Sequence, residues 1–152
     1  MDYQNNENHV QGTLIGGLIT LIVQSSSATV GMSIVLGKQQ LISLAGGLAI
    51  MLGAELGTCS DTLIATVKGS KQALKAGLFH LLFNFTTIVV GLLIFDYFLE
   101  FVLLVSKGQA LNNQIANAHM IFNIVGVIVF LPLVGMAEKL LDYLLPEKLV
   151  EA

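Results

Sequence analysis

Hydrophobic residues run along this chain in long stretches, and the polar interruptions carry most of the information. Residues 12–36 are mostly apolar, yet an amide and three consecutive hydroxyls, Gln24, Ser25, Ser26 and Ser27, sit at their centre. The apolar arms on either side, 13–23 and 28–37, would make about 16 Å and about 15 Å of helix. Each is about half of a bilayer core of roughly 30 Å. Two half-length helices joined at a polar tip describe either a re-entrant hairpin or one spanning helix broken at its centre. Non-helical backbone at that depth is tolerated only against protein or a water-filled cavity, so residues 24–27 are expected to face away from lipid. A short polar turn follows at Lys38, Gln39 and Gln40. Residues 41–67 are apolar again, except for "GAELGTCSD" at 53–61, which reads as a second interruption.

The next two apolar runs are clean. Residues 76–95 and 115–134 are 20 residues each, without an acid or a lysine, and about 20 residues of helix cross a bilayer core. Lys68, Lys71 and Lys75 form a basic loop before the first run, where Gly69 and Ser70 offer a break and a helix N-cap. Asp96 and Glu100 mark that run's exit. A helix over 76–106 would be about 46 Å long, so a bend or an interfacial stretch is expected near Asp96. Residues 108–114 read as a loop, and Pro132 falls near the end of the second run. Residues 137–145 alternate charges with leucines, as an interfacial helix does, and Pro146 ends them. The chain thus divides into a polar tail (1–11), a membrane unit (12–136) and an amphipathic tail (137–152). The expected fold is an all-α polytopic membrane protein, with a re-entrant or broken helix hairpin and about three transmembrane helices.

Composition agrees. Hydrophobic residues are 55% of the 152, charged residues 11%, and the mean hydropathy is +0.81, whereas soluble domains carry about 25% charged residues. A net charge of −3 without arginine gives no basic footprint for nucleic acid. The polar, acidic start lacks the basic region of a signal peptide. A single cysteine, Cys59, excludes an internal disulfide. No Gly-x-Ser-x-Gly elbow is present, and no histidine is near residues 24–27 in sequence, so an enzyme is not expected. His80 and His119 lack the close ligand spacing of metal sites, and no cofactor is expected.

The candidate chemistry follows from the interruptions. A half-helix ending before residue 24 presents carbonyls and a negative dipole end; one beginning near Ala28 presents N–H groups and a positive end. Ser27 is a good N-cap. Carbonyls, hydroxyls and the Gln24 amide oxygen suit a hard cation, and the N–H groups and hydroxyl protons suit an anion. In the second interruption, Glu55, Thr58, Ser60 and Asp61 are oxygen ligands, and intramembrane acids usually face a cavity or a cation. Asp61 lies only seven residues from Lys68, which also fits an interfacial position. Gly12 and Gly16, and again Gly53 and Gly57, form Gly-x-x-x-Gly pairs that allow close helix approach. "HLLFN" at 80–84 recurs as "HMIFN" at 119–123. His80 and Asn84, like His119 and Asn123, are four apart and share a helix face; they can serve as polar glue between helices or as ligands.

"QSSSAT" (24–29), "GAELGT" (53–58), "HLLFN" and "HMIFN", in this order along residues 12–146, resemble one repeat of the type II sodium–phosphate cotransporters and their bacterial relatives. Members carry two such repeats in inverted topology, so the resemblance implies one inverted-repeat unit of a transporter. The implied function is sodium-coupled symport of inorganic phosphate across the plasma membrane, with sodium as the coupling ion. It implies phosphate contacts at Gln24, Ser25, Ser26 and Ser27. The sodium candidates are Gln24, Ser25, Thr29, Glu55, Thr58 and Ser60, with Asp61, His80, Asn84, His119 and Asn123 in support. Thr58 and Ser60 would lie at a second helix break. Two departures bear on the cation count: many members have asparagine where Glu55 stands, and a second threonine where Cys59 stands. One tip, rather than two, implies a homodimer with an inverted partner or a separate partner half. The alternative is a non-transporting membrane module. If the first hairpin is re-entrant, Lys38 and Lys107 fall on one side and Lys68, Lys71, Lys75, Lys139 and Lys148 on the other. The excess favours the Lys68 side as cytoplasmic.

Overall fold

The computed structural model describes residues 8–67 and 69–146, apart from the side chains of Asp61 and Val67. The expectations for the Asp61 side chain, for Lys68 and Lys148, and for residues 1–7 and 147–152 fall outside the described residues. The described residues are helical throughout, without a strand: α1 (His9–Val23), α2 (Ser26–Lys38), α3 (Leu44–Val67), α4 (Lys71–Leu93), α5 (Phe95–Val105), α6 (Leu111–Phe130), a 3-10 turn (Leu131–Leu133) and α7 (Val134–Leu144).

Local chemistry sets several boundaries. The Asn8 side chain accepts from the Val10 and Gln11 N–H groups and caps α1. Ser70 accepts from the Ala73 N–H and caps α4, as its place after Gly69 predicts. The chain breaks at Ile94, two residues before Asp96, where φ −107° and ψ 19° separate α4 from α5. Pro132 lacks the N–H that an α-helix would use, and the chain tightens there into the 3-10 turn before α7. The stretch 108–114, read as a loop, is shorter than expected. Gly108 takes φ 79° and α6 begins at Leu111, with Asn117 Nδ2 donating to Ser106 Oγ at 3.0 Å and to Gln109 Oε1 at 2.9 Å.

Three helical stretches, Leu44–Thr66, Lys71–Leu93 and Leu111–Leu144, are long and apolar enough to cross a membrane. α1 is too short, and it does not continue into α2. The two fold back as a hairpin against α3. Gly12 lies over Ala49, Gly16 over Ile50, Gly17 over Gly53, and Thr20 over Gly57, so α1 and α3 run parallel. At its far end α2 meets α6, where Gly37 lies against Ile115. The hairpin therefore enters and leaves at one end of the bundle; Thr20, one turn before the tip, lies at the level of Gly57, and the tip stops short of the end of α3. The geometry selects the re-entrant alternative.

The second interruption is absent. α3 is one continuous helix of 24 residues through Gly53 and Asp61, and no break separates Thr58 or Ser60 from it. Its polar side chains are satisfied without unwinding. Thr58 Oγ1 donates to Ala54 O at 3.2 Å, Thr62 Oγ1 to Thr58 O at 3.4 Å, and Thr66 Oγ1 to Thr62 O at 2.9 Å. Gly53 and Gly57 are the α3 half of the contact whose α1 half includes Gly16 and Gly17. α3 carries much of the core, with Leu48, Met51 and Leu52 fully buried, joined by Val102 of α5 and Ile115 of α6.

Candidate functional site: a hairpin tip and a helix clamp

The tip is tighter than the sequence suggests. α1 ends at Val23 and α2 starts at Ser26, leaving Gln24 and Ser25 as the whole connection. Gln24 is left-handed, at φ 57° and ψ 34°, and its N–H donates to Thr20 O at 2.6 Å. That conformation costs a non-glycine residue about 1–2 kcal/mol, so glycine would be the unstrained choice. Ser25, rather than Ser27, is the N-cap of α2: its Oγ accepts from the Ala28 N–H at 3.2 Å. Helix propensity does not distinguish three adjacent serines; the fold-back does, because the chain turns at Gln24. Ser26 and Ser27 become the first two residues of α2, where backbone N–H groups have no intrahelical acceptor. The first-turn N–H groups and the hydroxyls of Ser26 and Ser27, next to Gln24, thus belong to the N-terminal end of a 13-residue helix. Gln24 and Ser27 are exposed, and Ser25 and Ser26 half-buried.

Beneath the tip, Thr20 Oγ1 donates to Thr29 Oγ1 at 2.8 Å, and Thr29 Oγ1 donates to Ser25 O at 3.2 Å. Both threonines are buried. Sequence reasoning singled out Thr29 and missed Thr20, an unremarkable residue in an apolar helix. One signal was present: Thr20 and Thr29 stand at equal distances before and after the Gln24–Ser25 junction.

A second polar centre grips α3 from the other side. Residues 55 and 57 are about 200° apart around a helix. Gly57 faces α1, so Glu55 points away from the hairpin. His119 Nε2, on α6, donates to Glu55 Oε1 at 3.0 Å, and Asn123 Nδ2 lies 3.5 Å from the same oxygen. From α4, Asn84 Nδ2 reaches Glu55 O and Cys59 Sγ, both at 3.3 Å, and His80 Nε2 at 3.0 Å. With the Asn84 amide donating to Nε2, the His80 proton sits on Nδ1 and is donated to Thr62 Oγ1 at 3.1 Å. The two His/Asn echoes therefore use equivalent positions on two helices to hold the middle of α3. The Glu55 side chain is 13% exposed, and a buried polar group left without its partner is costly.

The sequence candidates thus divide into two groups. Gln24, Ser25, Ser26, Ser27 and Thr29 come together at the tip. Glu55, His80, Asn84, His119 and Asn123 come together between α3, α4 and α6. Among the described residues, no hydrogen bond joins the two groups. Thr58 is bonded to its own helix, and Ser60 is half-buried on α3. The Glu55–His119 bond predicts a measurable coupling. In unfolding of the purified protein in detergent, Glu55→Leu and His119→Leu should be non-additive, with a coupling of about 1–3 kcal/mol. A double variant equal to the sum of the singles would mean that the bond contributes nothing.

A polar-tipped re-entrant hairpin docked on α3 and α6, beside three helical stretches long and apolar enough to cross a membrane, defines the class: an α-helical membrane protein. The profile of the Na+/Pi-cotransporter family matches residues 3–137, and the chain belongs to that family. A relative from Bacillus subtilis (strain 168), described as "Uncharacterized protein YqeW", is 30% identical over 146 residues, covering 96% of this chain and 47% of its own length. The chain therefore spans about half the length of the curated relative it matches. No solved structure gives a significant match.

Proposed function

We propose that this chain is one half of a sodium-coupled symporter of inorganic phosphate in the plasma membrane, multi-pass, and paired with an inverted second copy or a separate partner half. The observation that carries this reading is the tip: a strained glutamine and a serine-capped helix start, partway along α3, with Gln24 and Ser27 uncovered by the rest of the chain. Irregular backbone exposed to lipid at that depth is unfavourable, so a second body is needed to cover it. The relative's doubled length has room for one. The first-turn N–H groups of α2 with Ser26 and Ser27 suit an oxyanion. The tip holds no lysine or arginine, so co-bound sodium, held by the Gln24 amide oxygen, offsets the anion's charge; the Ser25 and Thr29 hydroxyls are already engaged within the hairpin.

Orientation follows the lysines. Lys75 at the start of α4 pairs with Asp142 of α7, and Lys38 ends α2 at the end of the bundle where α6 begins. The lysine excess favours the Lys75 end as cytoplasmic, with the hairpin entering from the opposite face.

The test is phosphate uptake by the purified chain in proteoliposomes. Uptake with an inward sodium gradient should exceed uptake in choline by more than tenfold. Equal uptake in the two salts would remove the coupling claim. A strictly monomeric particle with neither uptake nor phosphate binding would favour the non-transporting module.

A further inference from the structure

We infer that Thr20 is a positioning residue for the hairpin tip, acting through Thr29 on the geometry that Gln24 and Ser25 present. The inference rests on the tip being the ligand site proposed above.

Thr20 touches both ends of the connection. Its backbone carbonyl accepts from the Gln24 N–H at 2.6 Å, the last α-helical bond before the chain turns. Its hydroxyl donates to Thr29 Oγ1 at 2.8 Å, and Thr29 Oγ1 passes a donor on to Ser25 O at 3.2 Å. Ser25 O already accepts the Thr29 N–H at 3.1 Å, so the helix does not need this second donor. What the second donor does is fix the direction of the Ser25 carbonyl, and with it the peptide that follows the left-handed Gln24. The Ser25 hydroxyl is committed to the Ala28 N–H. The Gln24 amide and the Ser26 and Ser27 hydroxyls are thereby left for a ligand, on a backbone held at both ends.

The relay is dry. Thr20 is 0% exposed and Thr29 1%, and the Thr20 side chain packs on Gly57 of α3. Two apolar side chains would close the hairpin equally well by volume. A hydroxyl pair in their place adds direction at the cost of two buried groups that must find partners. Orientation ahead of binding lowers the ordering cost that a ligand would otherwise meet.

Thr20→Val keeps the branched shape and removes the donor; Thr20→Ser keeps the donor and removes the methyl. Thr20→Val should raise the phosphate KM about tenfold, with Thr20→Ser close to the parent, since a tip no longer held in its binding geometry must be ordered at the ligand's cost. Thr29→Val should match Thr20→Val, and the double variant should be no worse than either single. A structural role alone would instead lower thermal stability and leave the KM of the folded fraction unchanged.

A second readout does not need transport. With Cys59 replaced by alanine and Ser26→Cys introduced, labelling of the new thiol by a small maleimide reports tip geometry. Thr20→Val should change the labelling rate several-fold, and Thr20→Ser should leave it unchanged. Equal rates in all three backgrounds would overturn the inference. Absence of phosphate uptake by the parent chain, with labelling still dependent on the Thr20 hydroxyl, would overturn the transport reading and keep the positioning role.

Discussion

Replacing Gly53 by valine should undock the hairpin. A Cβ at Gly53 would collide with the Thr13 carbonyl oxygen and lie 2.6 Å from the Gly17 nitrogen. Both are backbone atoms, so no rotamer change relieves the clash. Gly16 meets the Ile50 backbone in the same way, with its Cβ position 2.8 Å from Ile50 C. Overpacking where side chains can shift costs about 1–3 kcal/mol, and a backbone clash belongs at or above the top of that range. Small residues are the means by which membrane helices approach this closely. The control is Gly31 of α2, where an added Cβ meets nothing within 4 Å; Gly31→Ala should be neutral or stabilise by up to about 1 kcal/mol. Thermal unfolding in detergent, with protease cleavage in α1 as a local readout, separates the two. A Gly53→Val protein that melts with Gly31→Ala and resists cleavage in α1 would show that the hairpin is not held by this contact.

The same contact shows how much of the fold was legible. Glycines four apart on two segments marked close approach, but not that the segments meet each other, because a local pattern carries no partner. The half-length arms around residues 24–27 were legible from length alone. Whether they fold back or run on depends on docking to α3, which length does not contain. Glycines and polar groups at 53–61 suggested a break, yet α3 continues. Threonine hydroxyls return to their own helix, and Asn84, His119 and Asn123 arrive from α4 and α6. Residues 29 to 68 positions away decide that outcome, and periodicity within one segment cannot register them. The His/Asn echo was visible as a repeat; its shared target, Glu55, was not.

Gln24→Gly should make the protein more stable and abolish uptake. Gln24 has φ 57°, a region that glycine enters without the steric penalty of a Cβ. Relief of that strain should stabilise the folded protein by about 1 kcal/mol. The same change deletes the amide that the proposed site uses to hold the coupling sodium, so sodium-dependent phosphate uptake should fall to the background of empty liposomes. Gln24→Ala should lose uptake without the gain in stability, because it keeps a Cβ in the left-handed region. Ser26→Ala is the companion on the helix side. It removes a hydroxyl from the first turn of α2 but leaves the Ser25 cap intact, so stability should hold while uptake is lost. Ser25→Ala would confuse the two effects, since losing an N-cap costs about 1 kcal/mol by itself. Paired measurements of unfolding and uptake on the same preparations decide the matter. A Gln24→Gly protein that is stabilised and still transports would mean that the left-handed glutamine is kept for some purpose other than binding. One that is destabilised would mean that the Gln24 side chain supports the fold itself.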